Sequence, residues 1–478
     1  LSIVRFRTAI KEPLDIAFLF WSIAVGIVLA AGMIPLAVIG SVIIGVILLV
    51  FVNRKASKNP YIVVVRCDGH DSETKAKAFL DGKTERCVVK SKTAQKGSVE
   101  LNMEIRLKDD NTDFVNALSV ATRALPTRTT VPALECVLIE TDEDDCLRVT
   151  CSDSQLTIVT HCPALVEEGG AALLPGKLIA EISRKLPEGS MSAHMAENGY
   201  MIFRCMGSRT QIAARPANLY PQVGQATAEG VNEADLTMPQ SLLKDMILTT
   251  SFAIATDEER PILTGCLLDV HGGEARMVAL DGHRIALRRV ALKEDFGTDK
   301  VIIAGKALQE IARILSGDTE KEAEVFFTDK QVLFSFDKTI VVSRLLDGTY
   351  YNVDSMLSGN YTTTVKVKRQ HMLSCIDRAT LLVKEEDKKP VIIMIREDEM
   401  ELRINTTLGS MDELIAIRKE GEDLNIGFNP KFLIDALRAI DDEEVTMYLV
   451  SPKAPCFIRD AEDMYCYLIL PVNFITID

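Results

Sequence analysis

LLPGKLIAEISRKL from Leu173 to Leu186, IIAGKALQEIARIL from Ile302 to Leu315 and IGFNPKFLIDALRAI from Ile426 to Ile440 are one segment written three times. Their lysines, Lys177, Lys306 and Lys431, stand 129 and 125 residues apart. Two further markers keep the same period. Pro132, Pro261 and Pro390 each precede an apolar run, 129 and 129 apart, and Arg215, Arg344 and Pro471 lie in strand-like stretches 129 and 127 apart. A fixed period held by three independent markers identifies a tandem repeat. With the lysine as origin, Glu181, Glu310 or Asp435 stands four residues on, and Arg184, Arg313 or Arg438 seven on. Ile179, Ile182 and Leu186 (Leu308, Ile311 and Leu315; Leu433, Ala436 and Ile440) stand two, five and nine residues on. At about 100° per residue the charged set falls on one side of a helix and the apolar set on the other. One such helix alone reads as a solvated face with Lys-to-acid pairing at i, i+4. Three copies that keep both basic positions read as positive charge gathered on one surface.

Around these helices, short runs of Val, Ile, Leu and Phe alternate with Gly and Asp turns. This predicts an α+β class built mostly of antiparallel sheet, with three copies of one domain over 113–228, 235–353 and 361–478, each with two helices. GQATAEGVNEAD, from Gly224 to Asp235, has the composition of a linker. Residues 113–478 carry 38 Lys/Arg against 57 Asp/Glu, a net charge of -19. That balance argues against nucleic acid on average, because phosphate contact needs Lys and Arg. Placement of the basic groups therefore decides.

The front of the chain differs. Residues 1–112 have 16 Lys/Arg against 11 Asp/Glu, and 16–52 carry no charge. The uncharged run is too long for one membrane span and fits two, about 15–31 and 35–52, broken at Ala31-Gly32-Met33-Ile34-Pro35. Arg5, Arg7 and Lys11 before it and Arg54, Lys55 and Lys58 after it fit a hairpin (1–58) with both ends cytoplasmic. Residues 59–112 predict a small soluble α+β segment, with strands at Tyr61–Arg66, Glu85–Lys90 and Val99–Leu107 and a helix at Ser72–Leu80. Eleven scattered cysteines without a C-x-x-C, and six histidines without H-E-x-x-H or H-x-H, suggest neither a disulfide framework nor a metal site. No nucleophile–base set, P-loop or G-x-G-x-x-G supports an enzyme, and no cofactor is expected. The acidic clusters at 142–145 and 441–444 read as turn and surface charge.

The stretches ATRALPTRTTVPALECVLIE, TDEERPILTGCLLDV, ALDGHRIAL, VVSRLLDGTYYNV and IGFNPKFLIDAL resemble the beta sliding clamp of bacterial DNA polymerase III, over about Ala117 to Val472. The resemblance implies a non-catalytic processivity factor of the cytoplasm. It implies a head-to-tail homodimer whose six domains ring duplex DNA without reading its sequence. It also implies a clamp-loader ATPase that opens the ring and a replicative polymerase tethered to it. Partners of the family dock a peptide of Q-L-x-L-F type between the second and third domains. By position that groove would use Leu263, Gly282, His283, Arg284, Ile285, Asn429, Phe432, Pro455, Leu468, Leu470, Pro471 and Val472. The DNA-facing groups would be Arg128, Lys177, Arg184, Lys185, Lys306, Arg313, Lys431 and Arg438. Three features depart from the family: Leu280 replaces a usual Thr, Pro261-Ile262 replaces an aromatic pair, and Asn473-Phe474 begins an unusual ending.

Residues 1 to about 118 resemble the C-terminal part of a bacterial membrane-protein family of unknown function, through RFRTAIKEPLDIAFLF, VVKSKTAQKGSVELNMEIRLK and NTDFVNALS. The chain opens on Leu1, so that resemblance implies that the beginning of the membrane protein is missing. The join falls near Asp113–Ala121. It reads either as a fusion that tethers a clamp to the membrane or as a chimera. A membrane-anchored protein whose soluble part binds another ligand is the alternative function, and it leaves the threefold period unexplained. Val99–Leu107 alternates well enough to stand in for the first clamp strand, with Phe114 and Leu118 toward the core.

Overall fold

The computed structural model describes the backbone of three strands between residues 61 and 107. It also describes 112–474 apart from 143–144, 188, 223–233, 258 and 384–388, and seven residues between 25 and 41. The expected membrane spans and the helix at Ser72–Leu80 lie outside the described residues. A turn at Ala31-Gly32, with Gly32 at φ +77°, falls where the break in the apolar run was read. No helix among the described residues is long and apolar enough to cross a membrane.

The chain divides into two compact units, Leu1–Asp109 and Asp110–Asp478. In the first, β1 (Tyr61–Cys67), β2 (Thr84–Gln95) and β3 (Ser98–Leu107) form an antiparallel sheet in the order β1-β3-β2. Both edges of β3 are therefore occupied by its own sheet. The alternation read at Val99–Leu107 is thus a strand of this sheet.

The second unit runs through one order of elements three times. The first pass is α1 (Thr112–Ala121), β4 (Cys136–Asp142), β5 (Cys146–Ser152), β6 (Leu156–Pro163), β7 (Ala171–Pro175), α2 (Gly176–Lys185), β8 (Met191–Met195), β9 (Tyr200–Cys205), β10 (Ser208–Ala213) and the short β11 (Arg215–Pro216). The second is β12 (Leu236–Pro239), α3 (Gln240–Thr250), β13 (Gly265–His271), β14 (Glu274–Leu280), β15 (Arg284–Ala291), β16 (Thr298–Ala304), α4 (Gly305–Ile314), β17 (Glu322–Phe327), β18 (Gln331–Phe336) and β19 (Thr339–Arg344). The third is β20 (Thr363–Lys368), α5 (Arg369–Thr380), β21 (Val391–Ile395), β22 (Glu399–Thr406), β23 (Gly409–Gly421), β24 (Leu424–Phe428), α6 (Pro430–Ala439), β25 (Glu444–Leu449), β26 (Cys456–Arg459) and β27 (Tyr465–Ile469). The described sheets of this unit are antiparallel, and they fuse across the repeats. β6 pairs with β19 to make a nine-stranded sheet, and β15 pairs with β27 to make one of twelve strands.

The helices pack in pairs within each repeat and cover one face of the sheets. Strand residues alternate between the two faces. Cys266 and Leu268 join the helices in the main core, while Leu267 and Val278 face the other way into a second cluster. In α4, Leu308, Ile311 and Leu315 are buried while Lys306 and Arg313 are exposed. That is the apolar back and charged front that the spacing predicts. Each such aliphatic contributes roughly 1.5–3 kcal/mol of burial free energy.

The residue before the repeated lysine has its own role. A Cβ built on Gly305 would lie 2.9 Å from the carbonyl oxygen of Thr264 and 2.7 Å from Ile254 Cδ1, and Gly176 is similarly tight against Leu125 and Glu135. The helix start therefore sits directly on the preceding turn, and only glycine allows that approach. Gly305→Ala is expected to lower the unfolding free energy by about 1–3 kcal/mol. The measurement is the urea midpoint, with the slope unchanged; an unaltered midpoint would show that this approach is not tight.

Candidate functional site

The turn between β14 and β15 organises the meeting of the second and third repeats. Asp281 Oδ1 accepts the backbone N–H groups of His283 (2.9 Å) and Arg284 (3.1 Å). Gly282 takes φ +92°, a conformation that favours glycine. β15 then runs antiparallel to β27, with Arg284 opposite Ile469 and Ile285 opposite Leu468. The carbonyl of His283 accepts the N–H of Leu470 at 2.9 Å, and Val472 N–H reaches Gly427 at 2.8 Å. These bonds carry Leu470, Pro471 and Val472 beside the turn.

Arg284 is only 7 % exposed and ties the repeats together. Its Nε donates to Asp281 (3.0 Å), one terminal nitrogen to Asp435 on α6 (2.6 Å), and the other to the Phe252 carbonyl (2.6 Å). Its guanidinium lies 4.5 Å from the Phe432 ring centroid and 5.4 Å from that of Phe252. Arg284 thus faces inward and acts as a support. His283 stays exposed and stacks on Phe432, with centroids 6.1 Å apart and planes 22° apart. Leu263, Ile285 and Leu468 are buried in the second apolar cluster, with Ile262, Leu346 and Tyr350 at its margin. Asn429 caps α6 by accepting the Lys431 N–H at 3.0 Å, and Pro455 is half-buried nearby in sequence to β26. Leu470 and Val472 keep about a third of their surface free, at 37 % and 36 %. The result is an apolar surface with one exposed imidazole and a cap amide beside it.

The meeting of the first and second repeats uses the same backbone with other side chains. Asp153 accepts the N–H groups of Gln155 (2.9 Å) and Leu156 (2.8 Å), Ser154 takes φ +79°, and Arg344 N–H donates to the Gln155 carbonyl at 3.0 Å. There a cleft of about 210 Å³ is lined by Ser154, Gln155, Thr157, Gln222, Gln331, Val342 and Arg344. It is polar where the other junction is apolar. Burial works to raise the Asp153 carboxyl, but the Lys306 ammonium and the two turn N–H groups outweigh it and hold the carboxyl below its usual range.

All eight basic positions singled out in the sequence, Arg128, Lys177, Arg184, Lys185, Lys306, Arg313, Lys431 and Arg438, are exposed. Several carry acidic neighbours. Lys306 pairs with Asp153, Arg313 with Glu310 at 2.6 Å, and Arg438 with Asp377 at 3.1 Å. Glu310 is shared with Arg123 at 3.2 Å, a second tie between the first two repeats. The cations stay exposed while Asp153 and Glu310 keep only 9 % and 15 % of their side-chain surface; the Arg438–Asp377 pair, open on both sides, contributes about 0–1 kcal/mol.

Sequence reasoning missed Phe252 and the binding partner of Arg284. A signal was present: the third repeat has Asp435 where the others have glutamate, and the shorter side chain meets a buried guanidinium. No disulfide joins the nine described cysteines, and burial pushes the Cys266 thiol up to about 12 and Cys162 to about 11. Such thiols are protonated at neutral pH and are poor nucleophiles. Among the described residues no group of three His, Cys, Asp or Glu is placed to hold a metal ion.

Comparison with known proteins agrees with this architecture. Family models match three consecutive spans: DNA polymerase III beta subunit N-terminal domain over 103–224, central domain over 237–352 and C-terminal domain over 355–473. The Beta sliding clamp of Staphylococcus aureus is 30 % identical over 382 residues, covering 78 % of this chain and 99 % of that protein. A putative DNA polymerase III beta subunit from Eubacterium rectale superposes with a TM-score of 0.72 at 40 % identity, over 76 % of this chain and 98 % of its own. The DNA polymerase sliding clamp of Bacillus subtilis gives 0.72 at 31 % identity, over 77 % and 98 %.

Arg284→Ala would leave Asp281 and Asp435 facing each other without their shared cation. A loss of about 3–5 kcal/mol in unfolding free energy is expected, read by chemical denaturation. A loss below about 1 kcal/mol would show that the guanidinium is dispensable to the junction.

Proposed function

The chain belongs to the bacterial DNA polymerase III beta subunit family, the sliding clamps, and from that premise we propose how its own residues close a ring, hold DNA and receive partners. As a member of that family it is a processivity factor for DNA polymerase and catalyses nothing itself. The three matched spans support three domains, set here at 113–228, 235–353 and 361–478, with the first match reaching back to 103.

One observation carries the ring. At each internal junction the third strand after the first helix of one repeat pairs with the last strand of the next: β6 with β19, then β15 with β27. By the same rule the third repeat still owes a partner to the 409–416 edge of β23, and the first repeat owes one to β10. Among the described residues, β23 within those limits pairs only with β22, and β10 only with β9. Closure pairs β23 of one protomer with β10 of a second, and two such contacts join six repeats head to tail. Charge supports the match. Glu397, Asp398, Glu399 and Asp412 are exposed near β23, and Arg204 and Arg209 near β10. The apolar Leu381 and Leu414 stand exposed on the acidic side, at 80 % and 61 %.

Around such a ring the charged helix fronts repeat six times. Arg128, Lys177, Arg184, Lys185, Lys306, Arg313, Lys431 and Arg438 supply positive charge that engages phosphates of either strand and no base edges. The apolar surface at the second junction receives the two aliphatic or aromatic residues of a Q-L-x-L-F type peptide, carried by the polymerase and by the clamp loader that opens the ring. His283 and the Asn429 cap orient its polar end. The clamp part works in the cytoplasm. Residues 1 to about 118 read as a segment of a membrane-protein family joined ahead of the clamp, by fusion or chimerism. The charge-free run at 16–52 and its basic flanks support that reading.

Two results are expected. In an antiparallel ladder alternate residues turn their N–H groups outward. The Ala214-to-Gly199 bond fixes the phase, so Gln211 faces the free edge of β10. Gln211→Pro should reduce the sedimenting species from twice the 52.7 kDa chain mass to the chain mass. A variant that stays dimeric would remove β10 from the interface. Separately, a labelled Q-L-x-L-F peptide should bind in fluorescence anisotropy, and His283→Ala with Leu470→Ala should weaken it at least tenfold. Equal binding by the double variant would move the slot elsewhere.

A further inference from the structure

The repeated strand ahead of the lysine loses a side chain once. Four residues before Lys177 stands Leu173, four before Lys306 stands Ile302, and four before Lys431 stands Gly427. Leu173 and Ile302 are buried, at 0 % and 5 % exposure, in apolar clusters separate from the main core. Gly427 lies within β24 and has no positive φ, so its backbone conformation does not call for glycine.

The segment after β27 fills the space. Among the described residues β24 is the last strand of the twelve-stranded sheet and its one ladder is with β21, with Gly427 opposite Ile392. On the other edge the Gly427 carbonyl accepts the Val472 N–H at 2.8 Å. A Cβ built on Gly427 would stand 2.7 Å from Phe474 Cδ1 and 2.9 Å from the Val472 carbonyl oxygen. Phe474 therefore lays the edge of its ring directly on bare strand backbone, and it is half-buried there.

The second repeat makes the same crossing with the side chain on the other partner. Leu346 N–H donates to the Ile302 carbonyl at 2.9 Å, as Val472 does to Gly427. Two residues past that bond stands Gly348, at φ +138°, where a Cβ would come 2.8 Å from Ile262 Cγ2. An aliphatic strand residue crossed by a glycine has become a strand glycine crossed by an aromatic. One apolar group covers the crossing in each case, and close packing admits one and not two. Phe474 belongs to the ending that departs from the family, so this cover is a property of the present chain.

We propose that Phe474 is a positioning residue of the partner slot: seated on Gly427, its ring holds Leu470, Pro471 and Val472 in the path that makes the slot wall. The proposal rests on the reading of that surface as the partner slot. Two described backbone bonds fix the wall, Leu470 N–H to His283 and Val472 N–H to Gly427, and Pro471 between them has no N–H to add. Leu470 and Val472 keep about a third of their surface free, so the wall has little burial of its own to hold it in place. Phe474 supplies that burial two residues further on. It acts through Gly427 and the wall, without contact to the peptide.

The test uses the full chain, a labelled Q-L-x-L-F peptide read by fluorescence anisotropy, and hydrogen exchange of the peptide-free chain. Phe474→Ala should weaken the peptide about tenfold and speed exchange of the Val472 amide by about as much, with the β21 amides unchanged. Phe474→Leu, which keeps an apolar cover, should bind within about threefold of the parent. Gly427→Ala, whose Cβ displaces the ring, should weaken the peptide as Phe474→Ala does. The two together should cost no more than either alone, because both remove one contact. Parent-like binding by Phe474→Ala, an unchanged Val472 amide, or losses that multiply in the double variant would overturn the proposal and leave the slot standing. Faster exchange throughout β21 would overturn it as well, since the ring would then support the whole sheet. No binding by the parent chain would remove the slot itself, and the positioning role with it.

Discussion

The ladder that joins one repeat to the next is the constraint on which the second unit depends. A strand with a bare row of N–H and C=O groups must either meet water or meet another strand. Here the last strand of one repeat satisfies the third strand after the first helix of the previous one, and the turn beside it is locked in the same way at both internal junctions. An aspartate accepts two successive N–H groups, the next residue adopts a positive φ, and the carbonyl of the residue after that accepts an N–H from the incoming strand. Ser154 accepts that strain at one junction, and Gly282 avoids it at the other. The device is set by backbone geometry, so side chains around it are free to differ.

That freedom separates the two junctions functionally. Where the first has Gln155, Thr157 and Arg344, the second has His283, Ile285 and Leu470. The polar lining suits water, and the apolar lining suits aliphatic or aromatic side chains. One chain therefore carries one apolar slot, although its backbone builds the setting for two. Arg284 keeps that slot in shape. It replaces Leu156 of the first junction with a buried cation that needs Asp281, Asp435 and the Phe252 carbonyl together.

Much of this was legible in the sequence, because the period of the repeat and the 3.6-residue period of the helix are independent signals that agree. The buried and exposed sides of α2, α4 and α6 follow directly from the spacing of Ile179, Leu308 and Leu433 against Lys177, Lys306 and Lys431. What was not legible depends on contacts between distant residues. The alternation of Val99–Leu107 marks a strand but names no partner, and its own sheet claims both of its edges. Likewise Arg284 in a D-G-H-R turn reads as surface, and only the approach of α6 from 151 residues away turns it inward.

Under the proposed function, the ion pairs on the basic helices bear on how an acidic protein would hold DNA without gripping it. Lys306, Arg313 and Arg438 each face a carboxylate while remaining about 60 % exposed. The Arg438–Asp377 pair, exposed on both sides, is screened by salt, with a Debye length of about 8 Å at physiological ionic strength, and contributes little to stability. In the proposed ring a phosphate would displace the Asp377 carboxylate from Arg438 at small cost, and the carboxylate would return when the phosphate moved on. Positive charge without resident acids would bind each phosphate more tightly and release it more slowly. Self-paired cations flatten that difference from one phosphate to the next, and a ring that must travel along a duplex needs that flatness more than it needs affinity.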